Sequence, residues 1–161
     1  MAGLDLTQAT LGLAFKKAFY RATADLFAGG VDTEHVYVVF GQPSTYAPDD
    51  IVSFGRLSSG QETATIGTNR SREETLSLEV TVSCFRGGGE EAEIETAERA
   101  YELLRRIEHH VRMEDTTLGG IVRLCVLSGH ESEGATPEDL IEQGRVTEVV
   151  ATFTAKARIQ A

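Results

Sequence analysis

His109 and His110 are the first residues in this chain that invite a chemical reading, because imidazole is a common metal ligand. Neighbours on a helix point about 100° apart, so the two rings cannot close on one ion. A helical metal pair needs i,i+4 spacing, and no second histidine stands at that distance. His35 and His130 are isolated, and exposed or helix-capping roles are the ordinary expectation for all four histidines. Gly87-Gly88-Gly89 ahead of a helical pattern has the outline of a phosphate cradle, since a helix N-terminus presents free N–H groups to an anion. No Lys-Ser/Thr follows, however, and Glu90, Glu91 and Glu93 fill the space that a phosphate would need. Ser58-Ser59-Gly60 misses the Gly-x-Ser-x-Gly elbow of a serine hydrolase. Most of the remaining acids fall on a helix's polar face or in loops, where carboxylates are usually solvated and ionised rather than poised for proton transfer. The expectation is a protein with no catalytic set, no metal and no cofactor.

Charge and length narrow the classes further. At 161 residues the chain fits one domain, residues 1–161, and can bury about 70% of its unfolded surface. The formal net charge of -10 disfavours duplex binding, which draws most of its affinity from Lys/Arg–phosphate contacts, and it repels anionic membranes. No apolar run approaches the length of a membrane span. Met1 to Thr10 lacks a basic stretch followed by an apolar one, so export by a signal peptide is not expected. Cys84 and Cys125 sit among β-prone neighbours and read as buried, reduced thiols of a cytosolic product, which makes the Asn69-Arg70-Ser71 sequon accidental.

The elements that would position these residues follow from periodicity. Leu11, Phe15, Ala18, Phe19, Ala22 and Leu26 predict a helix over Thr7 to Ala28, with Gly29-Gly30 as a left-handed stop. Val36 to Phe40 is apolar at consecutive positions and predicts a strand covered on both faces. A polar loop, Ser44 to Asp50, leads to a second strand over Ile51 to Leu57. Ser58 to Arg72 is long, polar and aperiodic, either a hairpin arm or a loop, and segments of that length tend to be functional. Leu76, Leu78, Val80, Val82 and Cys84 alternate with polar residues and make the clearest strand.

After the glycines, Ile94, Ala97, Tyr101, Leu104, Ile107 and Val111 predict a helix from Glu90 to Met113 with that stripe inward. Acids at its start and Arg105, Arg106 and Arg112 near its end suit the helix dipole, and Glu95–Arg99 and Glu102–Arg106 are expected i,i+4 pairs. Leu118-Gly119-Gly120 turns the chain into a strand over Ile121 to Leu127. Thr136-Pro137-Glu138-Asp139 predicts an N-cap opening one or two helical turns, closed by Gly144. Arg145 to Ile159 is a long strand with Val149, Ala151, Phe153, Ala155, Ala157 and Ile159 on one face. Its second face is polar, suiting a sheet edge or the wall of a solvent channel. The expected fold class is α+β, a mostly antiparallel or mixed sheet with two main helices packed against it.

From Ile51 onward, about two-thirds of the chain, the order of elements resembles the tail terminator (tail completion) proteins of long-tailed, siphovirus-type phages. The landmarks are the entry at Arg70 to Glu74, the alternating strand Leu76 to Cys84 and the helix Ala97 to Val111. Asp115-Thr116-Thr117-Leu118-Gly119-Gly120, the strand after it and the closing strand from Arg145 complete the set. The resemblance implies a virion protein assembled in the host cytoplasm. Its copies would form a homo-hexameric ring at the head-proximal end of the tail, capping the tail tube protein, stopping tube growth and docking to the head–tail connector proteins.

DNA would pass through such a ring without specific binding, and a negative or neutral lumen would keep its phosphates from sticking. Glu131, Glu133, Glu138 and Asp139 are the lumen candidates. Arg70, Arg72, Glu73 and Glu74 are candidates for ion pairs between subunits, because opposite charges at an exposed strand entry can fix register and partner. The alternative in the same setting is a head-to-tail adaptor or head-closure neck protein. From a different class, the alternative is a small α+β enzyme or ligand-binding domain with a sheet-lined pocket.

Overall fold

The computed structural model describes residues 9–43, 48–64 and 70–160. Two α-helices, α1 (Gly12–Ala28) and α2 (Glu90–His109), accompany five strands: β1 (Tyr37–Val39), β2 (Asp50–Thr63), β3 (Arg72–Arg86), β4 (Leu124–Ser132) and β5 (Arg145–Ile159). The strands form one sheet in the order β1-β2-β3-β5-β4. β1 runs parallel to β2, and every other pairing is antiparallel, so the sheet is mixed. The expected α+β arrangement is present, with both helices on the same side of the sheet.

The period-two pattern of β3 explains this layering. Leu76, Leu78, Val80, Val82 and Cys84 are fully buried. Their partners across β5, from Ala155 opposite Leu76 to Val149 opposite Val82, are buried on the same face. That face carries the helices. Phe15, Phe19, Thr23 and Phe27, four residues apart, form the buried line of α1. The Phe19 ring stands edge-on to Phe54 at 5.3 Å and to Phe153 at 4.9 Å, which ties α1 to β2 and β5. Such edge-to-face pairs add about 0.5–1.5 kcal/mol beyond area burial. Ser77, Glu79, Thr81, Thr152 and Thr154 point to the other face, which no described helix covers.

Several boundaries differ from the sequence expectation, each for a local reason. The expected start of α1 at Thr7 lies outside the described residues, and regular helix begins at Gly12. Its end uses no left-handed residue, because Gly29 keeps helical angles; instead the Gly30 N–H and the Thr33 hydroxyl both donate to the Phe27 carbonyl, at 3.2 and 2.8 Å. β1 is not a strand covered on both faces. It is a three-residue edge strand with only Val39 buried, and the Phe40 beyond it is exposed. Ser58 to Arg72 contains a hairpin arm: β2 and β3 stay paired out to Thr63–Arg72, and Ala64 N–H donates to Ser71 O at 2.8 Å. The tip, residues 65–69, lies outside the described residues.

The inward face of α2 is also rotated from the expected stripe. Ala92, Thr96, Ala100, Leu103, Leu104 and Ile107 are buried, whereas Ile94 and Tyr101 are 52% and 41% exposed. α2 ends in a π-helical turn, His110–Glu114, rather than running on to Met113 as regular α-helix. Left-handed Leu118, Gly119 and Gly120 then form the turn, and Ile121 to Arg123 lead out of it, so β4 starts only at Leu124 and extends to Ser132. The expected N-cap at Thr136 is not made. A short 3-10 turn, Glu138–Leu140, follows, while the Thr136 hydroxyl binds Glu93 and Val146 instead. Gly144 is required by crowding: its φ is 153°, and a Cβ there would lie 2.5 Å from the Arg86 carbonyl. β5 lies between β3 and β4, so it is an interior strand and not an edge.

Candidate assembly interface

The β2–β3 hairpin brings Arg70 to Glu74 to the root of the arm, and the pleat divides them. Successive residues of a strand face opposite sides, so Glu73 and Glu74 cannot act together. Glu74 turns toward the helices and is buried at 1% exposure. Its carboxylate accepts the Leu11 N–H at 2.8 Å, the Gln61 amide at 3.1 Å and the Thr10 hydroxyl. Gly12 N–H is satisfied by Thr10 Oγ1 at 3.0 Å. A carboxylate from β3, 63 residues away, thus caps the positive end of α1. Glu74 is engaged inside its own chain and is withdrawn as an intersubunit partner.

Glu73 faces the helix-free side, beside the guanidinium groups of Arg123 and Arg158. Arg72 reaches the Gln61 carbonyl oxygen at 3.1 Å and the Ala9 carbonyl at 3.5 Å. Arg70 is exposed, with a left-handed φ of 45°. The four residues are neighbours, but two of them buttress the chain's own arm.

At the opposite end of the sheet, Glu131, Glu133, Glu138 and Asp139 are all exposed. Glu93 belongs to the same acidic end but turns inward. It accepts the Thr136 hydroxyl and N–H, both at 2.7 Å, and pairs with Arg145 at 2.9 Å. Those contacts, led by the Thr136 hydroxyl, hold its carboxyl below the usual range. The turn between β4 and β5 is thereby fixed to the start of α2; it carries Glu133, Glu138 and Asp139, while Glu131 lies on β4 itself.

A second ionic system was not legible in the sequence. Asp50, at the start of β2, accepts Arg86 at 2.7 Å and Arg99 Nε at 3.0 Å. Burial resists ionisation of Asp50, but the hydrogen bonds from Arg86 and Arg99 outweigh it and hold the carboxyl below its ordinary value. Arg99 also donates to the Asp32 carbonyl at 2.5 Å, and Arg106 joins the Asp32 carboxylate at 2.6 Å and Glu102 at 2.9 Å. The Arg106 hydrogen bond lowers Asp32 to about 2, and Arg105 and Arg106 lower Glu102 to about 2. The expected Glu102–Arg106 pair is present. Arg99 instead leaves Glu95 for the sheltered Asp50 carboxylate and the Asp32 carbonyl.

This network lines a cleft with His35, Tyr37 and Asp49. Arg86 and Arg99 are already matched by carboxylates there, so the cleft welds the α1–β1 connection to α2 rather than presenting free cations. Among the described residues no group of three metal-ligating side chains converges. His109 and His110 both approach Glu114, at 3.8 and 2.9 Å. Cys84 and Cys125 are buried and unpaired; burial, aided at Cys84 by Asp50, raises both thiols to about 12.

A shallow groove on the outer flank of α2 is the remaining feature. Ile94, Ala97 and Tyr101 form one wall and His130 to Ser132 of β4 the other, with the Tyr101 and His130 rings 5.4 Å apart. Glu98 and Glu131 stand at its rim. Comparison of the chain with known family models and with curated proteins finds no match.

Proposed function

We propose that the chain is a structural virion protein, a phage tail terminator whose copies form a ring, hexameric by analogy, on the head-proximal end of the tail tube. The observation that carries this reading is the element order from β2 to β5 around a long hairpin arm: strand, arm, strand, helix, turn, strand, long strand. That order is the one that resembles terminators. The arm from Gly55 to Thr63 supports it physically, because its side chains, Leu57 apart, are exposed and among the described residues no strand lies beside its outer backbone beyond Ser53. Such an arm suits contact with a neighbouring subunit or with the tube.

Charge supports the same reading. Glu133, Glu138 and Asp139 gather at the end of the sheet away from the arm, where a negative surface would let DNA pass without being held. The role is capping, with no chemical step. Deleting the gene from its phage and imaging the lysate by electron microscopy tests this. Tails of uncontrolled length and heads without tails are the expected result. Tails of normal length lying beside unjoined heads would transfer the chain to the adaptor or head-closure role. Normal-length tails joined to heads would reject a neck function and leave a small ligand-binding domain.

A further inference from the structure

Four exposed apolar side chains, Leu13, Phe40, Ile94 and Tyr101, fall at the two outer flanks of the helical layer, and the flanks carry opposite charge. On the β1 side stand Leu13 and Phe40, 41% and 37% exposed, with Tyr20 packed edge-on to Phe40 at 5.6 Å. Lys16 lies 4.4 Å above the Phe40 ring, and Lys17 and Arg21 continue the same stretch of helix. On the β4 side stand Ile94 and Tyr101, with Glu98 and Glu131 about them. Among the described residues none of Lys17, Arg21, Glu98 and Glu131 forms an ion pair within the chain. One flank is therefore apolar and basic, the other apolar and acidic. They lie at opposite ends of the strand order β1-β2-β3-β5-β4.

We propose that these flanks bind one another between copies of this chain, the α1–β1 flank of one protomer seating on the α2–β4 groove of the next. The occupant follows from complementarity: the groove offers an apolar floor with an acidic rim, and α1 presents apolar side chains flanked by lysine and arginine. The apolar contacts supply affinity, while the rim charges steer encounter and exclude the like-charged pairings α1 on α1 and α2 on α2. Because two different patches meet, the contact is heterologous. It runs head to tail and closes into a ring only if its rotation permits. The proposal deepens the ring reading above by naming its subunit contact. It also places Glu131 in that contact rather than along a DNA path.

Charge-swapped variants of the full-length chain test it. One carries Lys17→Glu and Arg21→Glu; the other carries Glu98→Lys and Glu131→Lys. Light scattering after size-exclusion chromatography gives the mass, and thermal melts matching the wild type show that both variants fold. Wild type is expected to assemble well above its 17.4 kDa chain mass. Each variant alone is expected to stay at that mass, because like charges now face each other. Mixed at equal amounts, the two variants are expected to regain the wild-type mass, since every contact in an alternating array is again opposite in charge.

Variants that assemble alone, or that fail to recover on mixing while wild type assembles, overturn this contact and leave a ring by another contact standing. A wild type that stays monomeric up to millimolar concentration overturns the contact as well. The tail-length phenotype is scored separately in the virus, so failure of the terminator reading is a different observation.

Discussion

Glu74 shows how a single buried carboxylate can do two jobs. It satisfies the start of α1 and, through Gln61, braces the arm. Glu74→Ala would leave the Leu11 N–H without its buried acceptor, and about 1–3 kcal/mol of stability should be lost in chemical denaturation. Glu74→Gln keeps an acceptor oxygen and should recover part of that loss. Asp50 has a different signature, in pH. Its carboxyl is held below the unfolded value, so its contribution is complete above the ordinary carboxylate range and is lost as pH falls through the folded value. Asp32 and Glu102, held at about 2, extend the same trend. Stability measured by urea titration should therefore fall from about pH 4 downward. Asp50→Asn should flatten that slope and cost about 1.5–3 kcal/mol at neutral pH, where two guanidinium groups lose their counter-charge.

Among the elements, α2 is where pattern and packing part. Leu103 is fully buried and Leu104 is 4% exposed. Truncation of either to Ala should cost about 2–5 kcal/mol. Ile94→Ala should change stability of the unassembled chain by less than about 0.5 kcal/mol, as expected for an exposed site. Guanidinium denaturation of the three variants checks the orientation of the helix.

The sequence made both helices, and strands at the places of all five, legible, because a period of two or 3.6 is a direct imprint of one buried face. β3 and β5 were readable almost residue by residue for that reason. The facing of α2 was harder to read. Its sequence carries two apolar lines, one through Ala100, Leu103 and Ile107 and one through Ile94, Ala97 and Tyr101, and periodicity alone does not rank them. Thr96 also lies in the buried line. Its hydroxyl is matched by Thr147 at 2.8 Å, a partner that lies 51 residues away. The ionic network was illegible for the same reason. Arg99 meets Asp50 and Asp32 across separations of 49 and 67 residues, and helix spacing proposes only Glu95 and Glu102.

At the scale of the whole molecule, the sheet is covered on one side, edged by opposite charges and extended by an arm. The arm offers a measurement that needs no mutation. Backbone N–H groups on the outer side of Gly55–Thr63 should exchange rapidly with deuterium in the isolated chain and slow at least tenfold in the assembled state. Equal exchange in both states would place the arm outside every contact. The length and polarity of Ser58 to Arg72 left a hairpin arm or a loop open, and the pairing out to Thr63–Arg72 that decides between them was not readable. Its residues lack the alternation that marks a strand with one buried face, because past Leu57 neither face of the β2 arm is covered.

The pairing of β3 also has a mechanical meaning. It is bonded on one side to β5 from Arg72 to Arg86 and on the other to β2 across nearly the same span, broken only by the bulge between Phe54 and Leu57. Tension along these strands loads many bonds in parallel, and they must fail together. Tension across the sheet at β1 meets three residue pairs that can open one after another. The molecule is therefore stiff along its strands and compliant at one margin. A body built in this way transmits axial thrust with little deformation and takes up lateral mismatch at its rim.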